Sequence, residues 1–221
     1  FWTFFCPEIR KFAASIGKEN FLMFGEAFDG SDELIGSFTF NGGVDSVFYF
    51  SHKFWVFDDV FKYGAGTDKI EELFNLRAEH YSGTPHEMPL TGGDGEPLVA
   101  QQLLVNFMDN HDVPRFLYDM PSESALHNAL VYLLTVDGIP CIYYGTEQNF
   151  AGGNDPHNRE DLWLSGFDTT NDTFRLIQHL IALRKEHAPL RRGNMSIRWA
   201  SDRTGTEADA GAPMRQALSG H

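Results

Sequence analysis

Basic residues are few. Seventeen lysines and arginines stand against 31 aspartates and glutamates, for a net charge of −14, so the chain lacks the cationic face that a nucleic-acid backbone requires. Long apolar runs are missing as well: none reaches the roughly 18 residues of a membrane-spanning helix. Cysteine is limited to Cys6 and Cys141. They lack the Cys-x-x-Cys spacing of a zinc site, so free buried thiols are the expectation and no disulfide is supported. No EF-hand or other calcium loop is present, and no metal site is expected in this segment. What remains is a protein handling a neutral partner, with neither nucleic acid nor membrane among its expected partners. Its 221 residues suffice for one well-buried domain or part of a larger one.

The periodicity predicts alternating helices and strands. Residues 4–16 form a helical pattern with Phe5, Ile9, Phe12, Ala13 and Ile16 on one face and Gly17 as C-cap. Strands are expected over 21–24, 45–50, 103–108 and 138–145. Thr67 is expected to cap a helix running to Tyr81, Ser122 one running to Thr135, and a third spans 171–186. Residues 83–97 and 147–160 read as loops, 195–199 as a further strand, and 212–221 as no definable element. Strands alternating with helices imply a parallel sheet.

Two acidic motifs follow predicted strands: Gly25-Glu26-Ala27-Phe28 and Asn110-His111-Asp112. A carboxylate at the carboxyl end of a barrel strand points into the site of a (β/α)₈ enzyme. Carboxylates held in that way are what glycoside hydrolysis needs, one to donate a proton and others to stabilise positive charge. Most of the 20 phenylalanines are expected in the core, with a few at most lining a sugar groove.

On these residues the chain resembles the α-amylase family (glycoside hydrolase family 13). Phe24-Gly25-Glu26-Ala27 is similar to that family's third conserved motif, after the fifth barrel strand. Phe107-Met108-Asp109-Asn110-His111-Asp112 is similar to the fourth, after the seventh, and residues 138–163 resemble the eighth strand and loop of fungal-type amylases. The resemblance covers roughly residues 1–199. It implies an α/β fold: the C-terminal half of a TIM (β/α)₈ barrel, strands five to eight, over 1–190. The beginning of a C-terminal β domain and an irregular tail would occupy 191–221.

The resemblance also implies roles. Glu26 would be the general acid/base, with Phe24 and Phe28 favouring its protonated form. Asp112 would hold sugar hydroxyls as the ring flattens, with His111 donating to the same sugar. Asp155 and Arg159 would bind sugar further along, although an acid and an arginine four residues apart could equally form a loop ion pair. Arg115 would tether the loop after Asp112. The nucleophilic aspartate, in a Gly-x-Arg-x-Asp type pattern after the fourth strand, is not found here. Asp29, Asp32 and Asp45 follow the wrong strand to replace it.

The expectation is therefore a segment of a retaining hydrolase cleaving α-1,4 bonds in starch-like glucans, inactive by itself and lacking the N-terminal half of its barrel. No cofactor is expected in the segment. A structural Ca²⁺ would draw its ligands mostly from the absent part. Alternatives are a relative acting on α-1,6 bonds, one transferring glucosyl units, or a non-catalytic sugar-binding or scaffold relative. A polymeric substrate would favour a secreted or periplasmic address. The chain opens on Phe1 within a helical pattern, so no signal peptide can be read from it.

Overall fold

A computed structural model describes residues 1–40, 43–83, 88–119, 122–193 and 195–203. Helix α1 (Trp2–Ser15) leads to strand β1 (Phe24–Gly25), helix α2 (Asp32–Ser37) and strand β2 (Ser46–Val47). A short α3 (Phe50–His52) runs directly into a π-helix, Lys53–Lys62, followed by α4 (Asp68–His80) and α5 (Ala100–Leu103). Then come β3 (Val105–Asn106), α6 (Glu123–Thr135) and β4 (Ile139–Pro140). Two 3₁₀ turns (Thr146–Gln148, Leu162–Ser165), α7 (Asp172–Glu186) and α8 (Pro189–Arg192) complete the described chain.

The strands are parallel and lie in chain order. β1 pairs with β2 in the register Phe24–Ser46 and Gly25–Val47, and β3 pairs with β4 in the register Val105–Ile139 and Asn106–Pro140. A parallel bridge from Phe48 to Val105, with the Tyr49 N–H donating to the Val105 carbonyl at 2.9 Å, joins the two pairs. Bonds from Asp45 to Met23 (2.7 Å) and from Cys141 to Asn106 (2.8 Å) extend the ladders past their named ends. The alternation of strands and helices was therefore read correctly, but the ladders are shorter than predicted. A helical turn occupies 100–103, helix begins at Phe50, and β4 has no further strand to pair with among the described residues.

Two apolar clusters flank the sheet. One gathers Ile35, Val47, Phe50, Val56, Leu73, Leu104 and Phe107. The other gathers Phe57, Met108, Leu126, Leu130, Leu133 and Ile177, and Phe61 and Tyr132 pack against both. Helix α6 begins at the predicted cap: Ser122 Oγ accepts from the Ala125 N–H. The link from α6 to β4 is held from two sides. Arg77 grips Asp137 through two nitrogens at 2.7 and 2.9 Å, and Arg184 donates to the carbonyls of Leu134, Val136 and Gly138. Gly138 enters β4 at φ +85°, where an added Cβ would lie 2.6 Å from the Leu104 carbonyl oxygen.

Three expectations need correction. Helix α1 turns Cys6, Arg10 and Ala13 inward and leaves Phe5, Phe12 and Ile16 exposed, because Arg10 reaches inward to Asp45 at 2.9 Å and to the Gly43 carbonyl. Thr67 stands at the N-terminus of α4 but does not cap it with its side chain. Its hydroxyl accepts from the Ser201 N–H at 2.9 Å, while the Ser201 carbonyl receives the Asp68 N–H at 3.0 Å, so the returning tail closes that end. Residues 195–199 form no strand, having no ladder partner. Most of the expected C-terminal β domain, 204–221, lies outside the described residues. Both cysteines are free, with Cys6 buried and Cys141 half-buried.

Candidate active site

Glu26 leaves the carboxyl end of β1, whose entry is pinned by Asp45: its Oδ2 accepts the Met23 N–H at 2.7 Å, and Arg10 neutralises it. The carboxylate itself is exposed and has no hydrogen bond or ion pair among the described residues. Phe24 and Phe28 do not enclose it. The Phe24 ring packs edge-on against Phe48 with centroids 5.2 Å apart, Phe28 packs on Phe50 at 4.7 Å, and both stay partly in water. The apolar wall expected around Glu26 is thus not built by its sequence neighbours.

Asp32 and Asp45 are both engaged within the fold. Asp32 is buried and accepts from the hydroxyls of Ser51, Tyr81 and Tyr49. Burial pushes its carboxyl above the ordinary range, with the three hydroxyls pulling the other way.

The loop after β3 is built differently. Asp109 is buried, its Oδ2 accepting the Phe116 N–H at 3.0 Å and its Oδ1 the Thr146 hydroxyl at 3.2 Å; burial raises its pKa. Asn110 Oδ1 accepts the N–H groups of Asp112 (2.8 Å) and Val113 (3.1 Å), an Asx turn that sets the direction of the loop. From the far loop, the fully buried Asn158 donates its Nδ2 to the carbonyls of Asn110, His111 and Val113 at 3.4, 3.0 and 2.9 Å. Held by these bonds, the loop turns His111 and Asp112 out to solvent.

Arg115 anchors both loops. Its guanidinium is fully buried, bonded to Glu160 Oε2 at 3.0 Å and to the Tyr144 carbonyl, and it lies 4.1 Å from the centroid of the Tyr143 ring. Glu160 Oε1 receives the Gly152 N–H at 2.6 Å, and the Gly152 carbonyl accepts the Arg115 N–H.

Four of the five predicted site residues meet at this edge. Arg159 Nε is 2.8 Å from Asp155 Oδ1, and its terminal nitrogen is 3.7 Å from Asp112 Oδ1. His111 Nε2 lies 3.5 Å from Asp112 Oδ2. All four side chains are roughly half exposed. The Asp155–Arg159 pair is therefore an ion pair within its loop and also a link to Asp112. Carboxylates that accept, beside a guanidinium and an imidazole that donate, suit a ligand rich in hydroxyl groups. Glu26 stands apart, at the end of a strand two places away. Among the described residues no group of three or more His, Cys, Asp or Glu is placed to hold a metal ion.

Asn158, Asp109 and Thr146 carry the loop geometry and were not singled out from the sequence. A buried amide in a Gly/Asn/Asp-rich loop has no period or spacing that distinguishes it from a solvated one.

A family model described as the α-amylase catalytic domain matches residues 3–164. The chain is 51% identical over 85 residues to α-amylase 2 of Schwanniomyces occidentalis, covering 38% of this chain and 17% of that one. It is 42% identical over 98 residues to a cyclomaltodextrin glucanotransferase of Bacillus sp. (strain 1-1), covering 44% and 14%. The structure superposes on an α-amylase from Malbranchea cinnamomea with a TM-score of 0.64 at 28% identity, covering 83% of this chain and 34% of that chain. The chain thus spans about a third of that solved relative and a smaller share of the curated ones.

Proposed function

We propose that this chain, which belongs to the α-amylase family of glycoside hydrolases, is the second half of the catalytic barrel of a retaining enzyme that cleaves α-1,4 bonds in starch-like glucans. β1 to β4 would then be the fifth to eighth barrel strands. The observation that supports this reading is the Asp112–Arg159–Asp155–His111 cluster at the carboxyl edge of the sheet, on the same edge as Glu26.

Neighbouring strands lie about 4.8 Å apart, so the ends of β1 and β3 stand roughly 10 Å apart, room for a sugar ring between them. In this reading Glu26 protonates the leaving glycosidic oxygen and later takes a proton from water. Asp112 accepts hydrogen bonds from ring hydroxyls that shorten as the ring flattens, and His111 donates to the same sugar. Asp155 and Arg159 would hold the next unit along. The nucleophile must come from a strand outside this sequence, so the isolated chain forms no covalent glycosyl intermediate.

The reading has two tests. The 221-residue chain should show no measurable hydrolysis of soluble starch, and activity near that of a full-length relative would overturn its incompleteness. In the parent enzyme Glu26→Gln should lower kcat by about 10²–10⁴-fold, the usual contribution of general acid–base catalysis. The likeness to a glucanotransferase supports a second reading, transfer instead of hydrolysis, in which the same five residues keep their roles. The parent's product profile on maltoheptaose decides between them: short linear sugars for hydrolysis, longer or cyclic ones for transfer. A glucan polymer as substrate also supports a secreted or periplasmic parent.

A further inference from the structure

Between α4, the start of α3 and the end of α6 lies a cavity of about 10 Å³. Leu73 and Arg77 of α4, Tyr49 and His52 of α3 and its N-cap, and Tyr132 and Val136 of α6 and its C-cap are among its walls. The aromatic walls touch in a row: ring centroids are 5.0 Å apart for Tyr49 and His52 and 5.4 Å apart for His52 and Tyr132. Arg77, only 4% exposed, also lies against the Phe74 ring at 4.1 Å.

The hydrogens and lone pairs around this cavity can be counted. Both terminal nitrogens of Arg77 are spent on Asp137, whereas its buried Nε has no partner among the described residues. A buried N–H of a charged group left unpaired is costly. Asn106 Nδ2 donates to the Asp137 carbonyl at 2.8 Å, so Asn106 Oδ1 must accept from His52 Nδ1. His52 Nε2 is then an acceptor and takes the Tyr132 hydroxyl hydrogen at 3.0 Å. The Tyr49 hydroxyl hydrogen goes to Asp32 Oδ2 at 3.4 Å. Both phenolic oxygens keep lone pairs. The walls therefore carry one spare donor and two spare acceptors.

We propose that this cavity is a binding site for a single water molecule, which accepts from Arg77 Nε–H and donates to the hydroxyl oxygens of Tyr132 and Tyr49. Its volume is that of one water, roughly 10–15 Å³, and about three bonds are what a buried water makes. Asp137 already neutralises Arg77 at 2.7 Å, so the site offers no net charge to an ion. The water closes a ring that runs Arg77, Asp137, Asn106, His52, Tyr132 and back to Arg77. Through Tyr49 it also joins that ring to Asp32. A molecule outside the sequence thus completes the framework around β3, the strand that leads into the Asp112 loop.

The experiment is nuclear magnetic resonance on the ¹⁵N-labelled 221-residue chain, with the Arg77 Nε–H signal assigned by Arg77→Lys. That proton should show a cross-peak to water whose sign is opposite in laboratory-frame and rotating-frame measurements, the mark of a held molecule. Val136→Leu, which adds a methylene group to the cavity, should abolish the cross-peak and lower by one the long-lived waters counted by oxygen-17 relaxation dispersion. Tyr49→Phe removes one acceptor and leaves the His52–Tyr132 bond in place. It should shorten the residence time of the water severalfold.

A missing cross-peak overturns the site, and so does one of equal sign in both measurements, which marks exchange with bulk solvent. A crystal structure that shows ordered waters elsewhere and a dry cavity here does the same. A cross-peak that survives Val136→Leu undiminished places the water outside the cavity and counts against the proposal. An unchanged residence time in Tyr49→Phe overturns the three-bond geometry. If Val136→Leu does not fold, the cross-peak of the unaltered chain decides. None of these substitutions touches Glu26 or the Asp112 cluster, so the outcome is independent of the glucan reading.

Discussion

The loop that presents Asp112 and the turn that presents Glu26 lie on one edge of one parallel sheet, yet their construction has little in common. Under Asp112, two buried side chains satisfy loop N–H groups, Asn158 satisfies three loop carbonyls, and a buried arginine ties this loop to the next. Around Glu26 the support stops at the strand: Asp45 fixes Met23, and beyond it the carboxylate meets solvent beside aromatic rings that pack on other residues. The α1 side of the molecule shares this character, with Phe1, Phe4 and Phe12 exposed. The groups around Asp112 are thus held in place by their neighbours, whereas among the described residues nothing encloses Glu26.

Removing the anchor should break the finished half most severely. Arg115→Met leaves Glu160 and the Tyr144 carbonyl without their partner, and loss of one member of a buried pair costs about 3–5 kcal/mol. Urea denaturation should show that loss in its midpoint. Acid should act next, through β3. His52 is buried with Nδ1 2.7 Å from Asn106 Oδ1 and Nε2 3.0 Å from the Tyr132 hydroxyl. The Asn106 Nδ2 donates to the Asp137 carbonyl, so its Oδ1 must accept, and the neutral ring carries its proton on Nδ1. Burial lowers the pKa of this ring from 6.5 to about 3. The unfolded chain takes up this proton below pH 6.5 and the folded one does not, so the stability tied to His52 is whole above that pH. It is lost as the pH falls toward 3, by about 1 kcal/mol per unit. Urea midpoints at pH 7, 5 and 4 should fall less steeply for His52→Gln than for the parent sequence.

Asn158→Ala removes three loop contacts and leaves buried carbonyls unpaired, at a cost of about 1–3 kcal/mol. Maltoheptaose binding should weaken with it, and intact binding would show that Asp112 needs no clamp. The smallest effects belong to the unfinished half. Glu26→Gln and Phe12→Glu should each change stability by no more than about 0.5 kcal/mol, as surface substitutions do. Phe12→Glu should also reduce self-association in sedimentation velocity, if the exposed α1 face drives it. A large destabilisation by Glu26→Gln would erase the contrast between the two regions.

The sequence carried the long amphipathic elements well, for a physical reason. α6 and α7 have both a capping side chain, Ser122 or Asn171, and a stripe of apolar residues, so local and tertiary preferences agree. α2 also had its signal, since Ser31 caps it and Asp32 and Glu33 fill its first turn, but six residues are too few for a period to show. The π-helix was hidden in a phenylalanine-rich run that suits a buried helix or a strand equally well. At the site, motifs made His111, Asp112, Asp155 and Arg159 legible. They said nothing of Asn158, whose role exists only once two distant loops meet, nor of the direction in which Phe24 and Phe28 turn.

The contact between Ser201 and Thr67 spans 134 positions of chain. At translation rates of about 5–20 residues per second, that separation amounts to roughly 7–27 seconds. Throughout that interval the Asp68 amide at the head of α4 has only water to bond, and the helix must hold without its last fastening. The order in which this face of the molecule becomes protected is therefore set by the ribosome's clock, and a pulse of hydrogen exchange during synthesis would find Asp68 open long after the body of α4 has closed.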